Sequence, residues 1–188
     1  CAVDGVEIRV VDDARHEVPH GQEGEEASRG PQVFVGYWGE PEMTARALDA
    51  DGWYYSGDYC RTDSEGRYIR ITGRKKDIIV RGGENISSRE VEDIVLEYPG
   101  VREAAVVAMP DERLGERSCA CVSMRPGAPA LHLTDLVAFF DGRRVAKYKF
   151  PEYLVVLDAL PRTSSGKLQK FALARMVRER VAAGQPSD

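Results

Sequence analysis

Thr72-Gly73-Arg74-Lys75-Lys76-Asp77 divides this sequence, and the reading on either side of it decides the fold. Before it, apolar residues alternate in short runs; after it, they recur at helical spacing between long apolar strands. Three consecutive cations at such a joint fit a solvated linker, or a hinge whose charges meet a nucleotide.

The part before the joint reads as β-rich with one short helix. Val6, Ile8 and Val10 alternate with Glu7 and Arg9, and Asp12-Asp13 marks a turn. Gln32 to Tyr37 is expected as a second strand, Glu42 to Leu48 as a helix, and Trp53-Tyr54-Tyr55 as a third strand. Asp58 to Arg61 and Arg67 to Ile71 are expected to pair across Ser64-Glu65-Gly66. Gly21 to Gly30, acidic and glycine-rich, reads as an exposed segment. Such a stretch makes a poor independent core and looks like the end of something larger.

The part after the joint is denser. Asp77 to Val80 and Glu84 to Ile86 flank Gly82-Gly83, a hairpin pattern. Ser87 with Glu90 three residues on forms a capping-box signal. Val91, Ile94, Val95 and Tyr98 give the helix one apolar face, and Pro99-Gly100 ends it. Val101 to Met109 and Arg117 to Met124 are nearly continuous apolar runs, expected as strands covered on both faces. Leu133, Leu136, Val137 and Phe140 mark another helix with His132 at its cap; Tyr153 to Leu157 reads as a strand and Leu168 to Val181 as a final helix. The whole is a compact α+β unit.

Composition narrows the function classes. The 188 residues are 43% hydrophobic and 30% charged, the balance of an ordinary globular protein. A net charge of −5 with no long basic run argues against nucleic acid as a partner. No transmembrane segment and no signal peptide is visible, and Cys1-Ala2-Val3-Asp4-Gly5 looks like the interior of a longer sequence. Cys119 and Cys121 share one strand face, but their surroundings fit no zinc spacing, so no metal site is assigned and core packing is expected. Reduced thiols point to the cytoplasm.

Pro161-Arg162-Thr163-Ser164-Ser165-Gly166-Lys167 has the form of a flexible loop that delivers one lysine. Proline fixes the entry, hydroxyl residues follow, and Gly166 lets the backbone turn directly before the ammonium. A lysine so placed suits a phosphate or carboxylate, although the same tripeptide occurs in solvated loops. It is not a P-loop: Pro161 stands where the first glycine belongs, and Leu168 where Ser or Thr belongs.

In order along the chain, these segments resemble the C-terminal part of the adenylate-forming superfamily: acyl-CoA synthetases, aryl-acid ligases, luciferases and peptide-synthetase adenylation domains. The resemblance rests on four segments: Gly36-Tyr37-Trp38-Gly39-Glu40-Pro41-Glu42-Met43-Thr44, Trp53-Tyr54-Tyr55-Ser56-Gly57-Asp58, Gly73 to Ile86, and Pro161 to Lys167. It implies the β-rich end of a large N-terminal domain's barrel subdomain (residues 1–74) followed by a lid of small sheet and flanking helices (residues 75–188).

It implies also a two-step reaction, in which a carboxylic acid and Mg-ATP give an acyl-adenylate and a thiol then displaces AMP. Lys167 would be the catalytic lysine. Asp58 would accept hydrogen bonds from ribose hydroxyls, Arg74 would reach ribose or phosphate oxygens, and Lys76 would be the hinge. Gly82 and Gly83 would line the passage for the coenzyme A arm. Outside the resemblance, Asp58 is also a plain turn former and Gly82-Gly83 a plain hairpin turn. The ligand of Mg2+, the phosphate loop and the acid pocket are expected in an N-terminal domain outside this sequence, so the chain alone is expected to be inactive. The resemblance favours an acyl-CoA synthetase for fatty, alicyclic or aromatic acids. An aryl-acid ligase loading a carrier protein and a non-catalytic binding module with the lid fold are the alternatives. Glu26, where the family carries a hydrophobic residue, puts the packing of one strand in question.

Overall fold

The computed structural model describes residues 4–182, so Cys1 lies outside the described residues. The chain divides between Lys76 and Asp77 into two compact units.

In the first unit β1 (Glu7–Val11), β2 (Glu23–Arg29), β3 (Tyr54–Thr62) and β4 (Ile69–Arg74) form one antiparallel sheet in chain order. Helix α1 (Pro41–Ala47) lies between β2 and β3, with proline in its first turn. The turn after β1 forms because Asp12 Oδ1 accepts the N–H groups of Ala14 and His16, at 2.9 and 2.8 Å.

Two expectations fail here, for related reasons. The acidic stretch read as exposed contains β2, a central strand. Its inward residues are small, Gly24 and Ala27, and a bulge between Glu25 and Ala27 breaks the alternation that would have announced it. A Cβ on Gly24 would lie 2.4 Å from the Val11 carbonyl oxygen and 2.9 Å from Val10 Cγ1, so this close strand approach requires glycine. Glu26 lies in this bulged strand, half-buried, and its carbonyl accepts the Ser56 hydroxyl at 3.0 Å. Conversely, Gln32 to Tyr37 forms no strand. It turns at once, with Val33 N–H on Gly30 O, and leaves Val35 fully exposed while Phe34 packs edge-on against Tyr37 and Tyr54.

The core of this unit is thin. Val11, Ala27 and Trp53 cluster with Tyr55 against them. The guanidinium groups of Arg9 and Arg29 lie 4.0 and 4.6 Å from the Trp53 ring centroid. Cation–π contacts of this kind contribute about 0.5–1 kcal/mol each where exposed.

The second unit contains β5 (Ile78–Arg81), β6 (Glu84–Ser87), α2 (Ser88–Leu96), β7 (Val101–Asp111), β8 (Gly115–Met124), α3 (Leu133–Gly142), β9 (Tyr153–Val156) and α4 (Lys170–Ala182). Its sheet runs β6-β5-β8-β7, with β9 parallel to β8. The long β7–β8 pair explains the continuous apolar runs, since both of its faces are covered. On one face Val106, Ala120 and Val122 pack with Val91 and Val95 of α2 and Leu136 and Phe140 of α3. On the other, Ala105, Val107, Cys119 and Cys121 meet Leu173 and Val177 of α4. Burial of each large side chain contributes about 1.5–3 kcal/mol, so this unit has the core that the first lacks. Both cysteines are fully buried, and the contact with Cys121, together with burial, pushes the Cys119 thiol up. They pack as small hydrophobes.

The Ser87 cap forms, with Glu90 N–H on Ser87 Oγ at 3.4 Å, and at α3 the His132 N–H donates to Asp135 Oδ2 at 3.1 Å. Among the described residues no helix is long and apolar enough to cross a membrane.

Candidate functional site

Strand pairing itself brings Asp58 and Arg74 together, because they stand opposite each other on β3 and β4. Arg74 Nε lies 2.7 Å from Asp58 Oδ1, yet that buried oxygen receives no aligned hydrogen bond. The charges neutralise each other, and the oxygen is buried with its hydrogen-bonding capacity unfilled. The chain reaches Asp58 through Gly57, whose φ of +73° only glycine adopts without strain. Gly57 N–H donates to Glu25 Oε1 at 2.9 Å, and Asp58 N–H to Ser56 Oγ at 3.1 Å.

Glu25 was not foreseen, and it serves twice. Its other oxygen lies 3.1 Å from Lys75 Nζ, which also sits 2.8 Å from Asp13 Oδ1. The Asp13 bond holds the Lys75 ammonium above the usual lysine range. The three cations of the joint therefore differ: Arg74 meets Asp58, Lys75 meets Asp13 and Glu25, and Lys76 has no ion-pair partner among the described residues. Lys76 is the last residue of the first unit and lies in a single 3-10 turn, Lys75–Asp77. Tyr37, Tyr54, Tyr55, Glu25 and Lys75 help to line a cleft of about 400 Å³ in this unit.

In the second unit Gly82 and Gly83 form the two-residue turn of the β5–β6 hairpin, with φ of +59° and +91°. Gly82 N–H donates to Leu114 O at 2.7 Å, whereas a Cβ on Gly83 would meet nothing within 4 Å. Arg81, just before the turn, is held by both oxygens of Glu152, at 2.8 and 3.0 Å, and Glu152 also meets Arg117 at 3.2 Å.

Lys167 closes a tight loop. Thr163 N–H donates to Lys167 O at 2.8 Å, Lys167 N–H to Thr163 Oγ1 at 3.0 Å, and Gly166, at φ +83°, makes the turn. Arg162 clamps the loop from below, donating to Gly166 O at 2.7 Å and pairing with Glu103 on β7. That pair holds the Glu103 carboxyl below its ordinary range. The Lys167 side chain is exposed, and its ammonium has no ion-pair partner among the described residues. A cation on a hydrogen-bonded loop, without an ion-pair partner among the described residues, is available to an anionic ligand.

Residues 90–167, the last of them Lys167 itself, match the family described as the AMP-binding enzyme C-terminal domain. The second unit carries an AMP-binding enzyme C-terminal domain. The medium-chain fatty-acid–CoA ligase of Escherichia coli is 66% identical over 180 residues, covering 96% of this chain and 32% of the relative. A salicylyl-CoA synthase / salicylate adenylyltransferase of a Streptomyces species is 45% identical, covering 92% of this chain and 31% of the relative. ATP-bound MatB from Rhodopseudomonas palustris matches with a TM-score of 0.87 and 36% identity, over 95% of this chain and 35% of that one. The chain thus spans about a third of the length of these relatives. The α+β fold expected from the sequence is that of these AMP-binding enzymes.

Proposed function

We propose that the chain works as part of a longer AMP-forming carboxylate–CoA ligase, with residues 1–74 ending its large domain and residues 75–188 forming its lid. The observation that carries this reading is the Lys167 ammonium, without an ion-pair partner among the described residues, on a clamped loop at the end of the matched AMP-binding domain.

In this reading Lys167 meets the acid's carboxylate and the α-phosphate of ATP, where charge on the transferring group makes a placed cation valuable. The Asp58 carboxylate accepts ribose hydroxyls, and the Arg74 fork turns to ribose or phosphate. Lys76, with no ion pair to break, absorbs the dihedral change of the lid. Gly82 and Gly83 leave room for the thiol arm of coenzyme A. Mg2+ would be held by residues outside this chain, and a cytoplasmic location belongs to the same proposal.

Medium-chain fatty acids are the first acids to try, on the 66% identity to a ligase of that name. The salicylate relative keeps an aryl acid, with coenzyme A or a carrier protein as acceptor, as the second reading. The test is product analysis by mass spectrometry, using the longer protein, Mg-ATP and both acid classes, with and without coenzyme A. Acyl-CoA formation from either class supports the ligase. Acyl-adenylate that persists with coenzyme A present moves the acceptor to a carrier protein, and no adenylate from any acid refutes the reading. The 188-residue chain alone should release no pyrophosphate, since the resemblance places the triphosphate site in a domain outside this sequence.

A further inference from the structure

Three charged arrangements in the second unit serve no role assigned above: the Arg81–Glu152–Arg117 cluster, the Lys149–Glu90 pair and the site around Lys170. The last ties together the most distant parts of the sequence. Lys170 is the first residue of α4, three positions after Lys167. Its ammonium donates to Ser88 Oγ at 2.9 Å and lies 2.7 Å from Glu92 Oε1 and 3.8 Å from Asp77 Oδ2. Ser88 and Glu92 are buried, 3% and 6% exposed, and Glu92 Oε1 also accepts the Val106 N–H at 2.7 Å. A carboxylate that far from water stays charged only with partners of this kind.

We infer that Lys170 is a positioning residue for Lys167, fixing its loop to helix α2 and to Asp77, the residue directly after the hinge position. The geometry leaves little slack. Only Leu168 and Gln169 separate the two lysines. Leu168 bridges to Arg162 and packs on the α4-side core, and Gln169 N–H donates to Pro161 O at 2.9 Å. Displacing the Lys167 backbone therefore requires either breaking the Lys170 contacts or distorting this short bridge. Because the same ammonium reaches Asp77, the start of the lid and the lysine loop move as one body. The Lys170 ammonium is taken up by Ser88, Glu92 and Asp77, so it acts through Lys167.

The structural half of this inference stands alone, and the catalytic half rests on the ligase reading above. In the 188-residue chain, amide hydrogen exchange of Thr163 and Gly166 reports loop closure, and that of Gly82 reports the hairpin. K170A should speed exchange at Thr163 and Gly166 by about tenfold or more while Gly82 stays near its original rate. E92Q, which keeps shape and an acceptor, should shift the same amides less, and K170R should restore protection. Unchanged exchange in K170A and E92Q, or acceleration spread equally to Gly82, overturns the inference.

In the longer ligase, K170A should slow adenylation by about 10- to 100-fold, and K170R should recover most of it. Thioester formation from preformed acyl-adenylate should stay within about twofold of wild type, because it does not use the Lys167 contact. K167A runs beside it as the control. If K167A adenylates normally, the ligase reading fails. If K167A fails and K170A slows both steps equally, Lys170 is merely structural and the inference fails by itself.

Discussion

Gly83→Ala separates two readings of the β5–β6 turn that coincide in the folded chain. At φ +91° any side chain strains the backbone, but a Cβ there would meet nothing within 4 Å. The cost to folding is therefore conformational alone, about 1 kcal/mol. For a unit of this size that lowers Tm by roughly 4 °C. Gly82→Ala adds a contact with Leu114 Cδ2 at 3.3 Å and should cost somewhat more. If the turn is only a turn, neither half-reaction of the proposed longer ligase should change at a temperature well below Tm. If Gly83 lines the passage of the coenzyme A arm, the added methyl should slow thioester formation by at least about tenfold, a barrier increase of about 1.4 kcal/mol. Adenylation should remain within about twofold. Thermal unfolding of the chain, ATP–pyrophosphate exchange and single-turnover thioester formation measure the three quantities. A Gly83→Ala enzyme with both half-reactions intact, or with both reduced alike, refutes the passage role.

Two further outcomes follow from the charged pairs. Asp58→Ala removes the carboxylate acceptor and the partner of Arg74, and should raise the KM for ATP by about 10- to 100-fold, the worth of hydrogen bonds to a charged group; an unchanged KM removes Asp58 from the nucleotide site. Glu103 has its folded pKa depressed below 4.5, chiefly by the Arg162 bond, so its contribution is complete above about that pH and is lost as pH falls through the folded value. Protection of the Thr163 amide, corrected for intrinsic exchange, should therefore fall only on acidification below about 4.5, and Glu103→Gln should weaken that dependence. A loss of protection between neutral pH and about 5 would contradict the assignment.

The second unit was legible because its signals are long and local. Val91 and Val95 share one helix face, and the apolar runs of β7 and β8 are long enough to demand cover on both sides. The first unit was less so. β2 is central, yet it faces inward with Gly24 and Ala27, and small residues leave no hydrophobic period to read. Val33, Phe34 and Val35 have the composition of a strand but find no neighbour to pair with, and pairing decides.

At the site, the Lys167 loop could be read from Gly166 and the hydroxyl residues before it, and the hairpin from its paired glycines. The supports could not, since Arg162 and Glu103 lie 59 positions apart and Lys170 and Ser88 lie 82 apart. One clue was available: Glu92 falls beside Val91 and one turn before Val95, on the side of α2 that is buried. A carboxylate on such a face calls for a cation.

The most direct test is Lys167→Ala in the proposed longer ligase, with ATP–pyrophosphate exchange measured beside thioester formation from preformed acyl-adenylate. Loss of one placed cation should cut exchange by about a hundredfold or more while the thioester step stays near wild type. Exchange that persists at the wild-type rate would contradict the role of Lys167 and the reading of this chain as a catalytic lid.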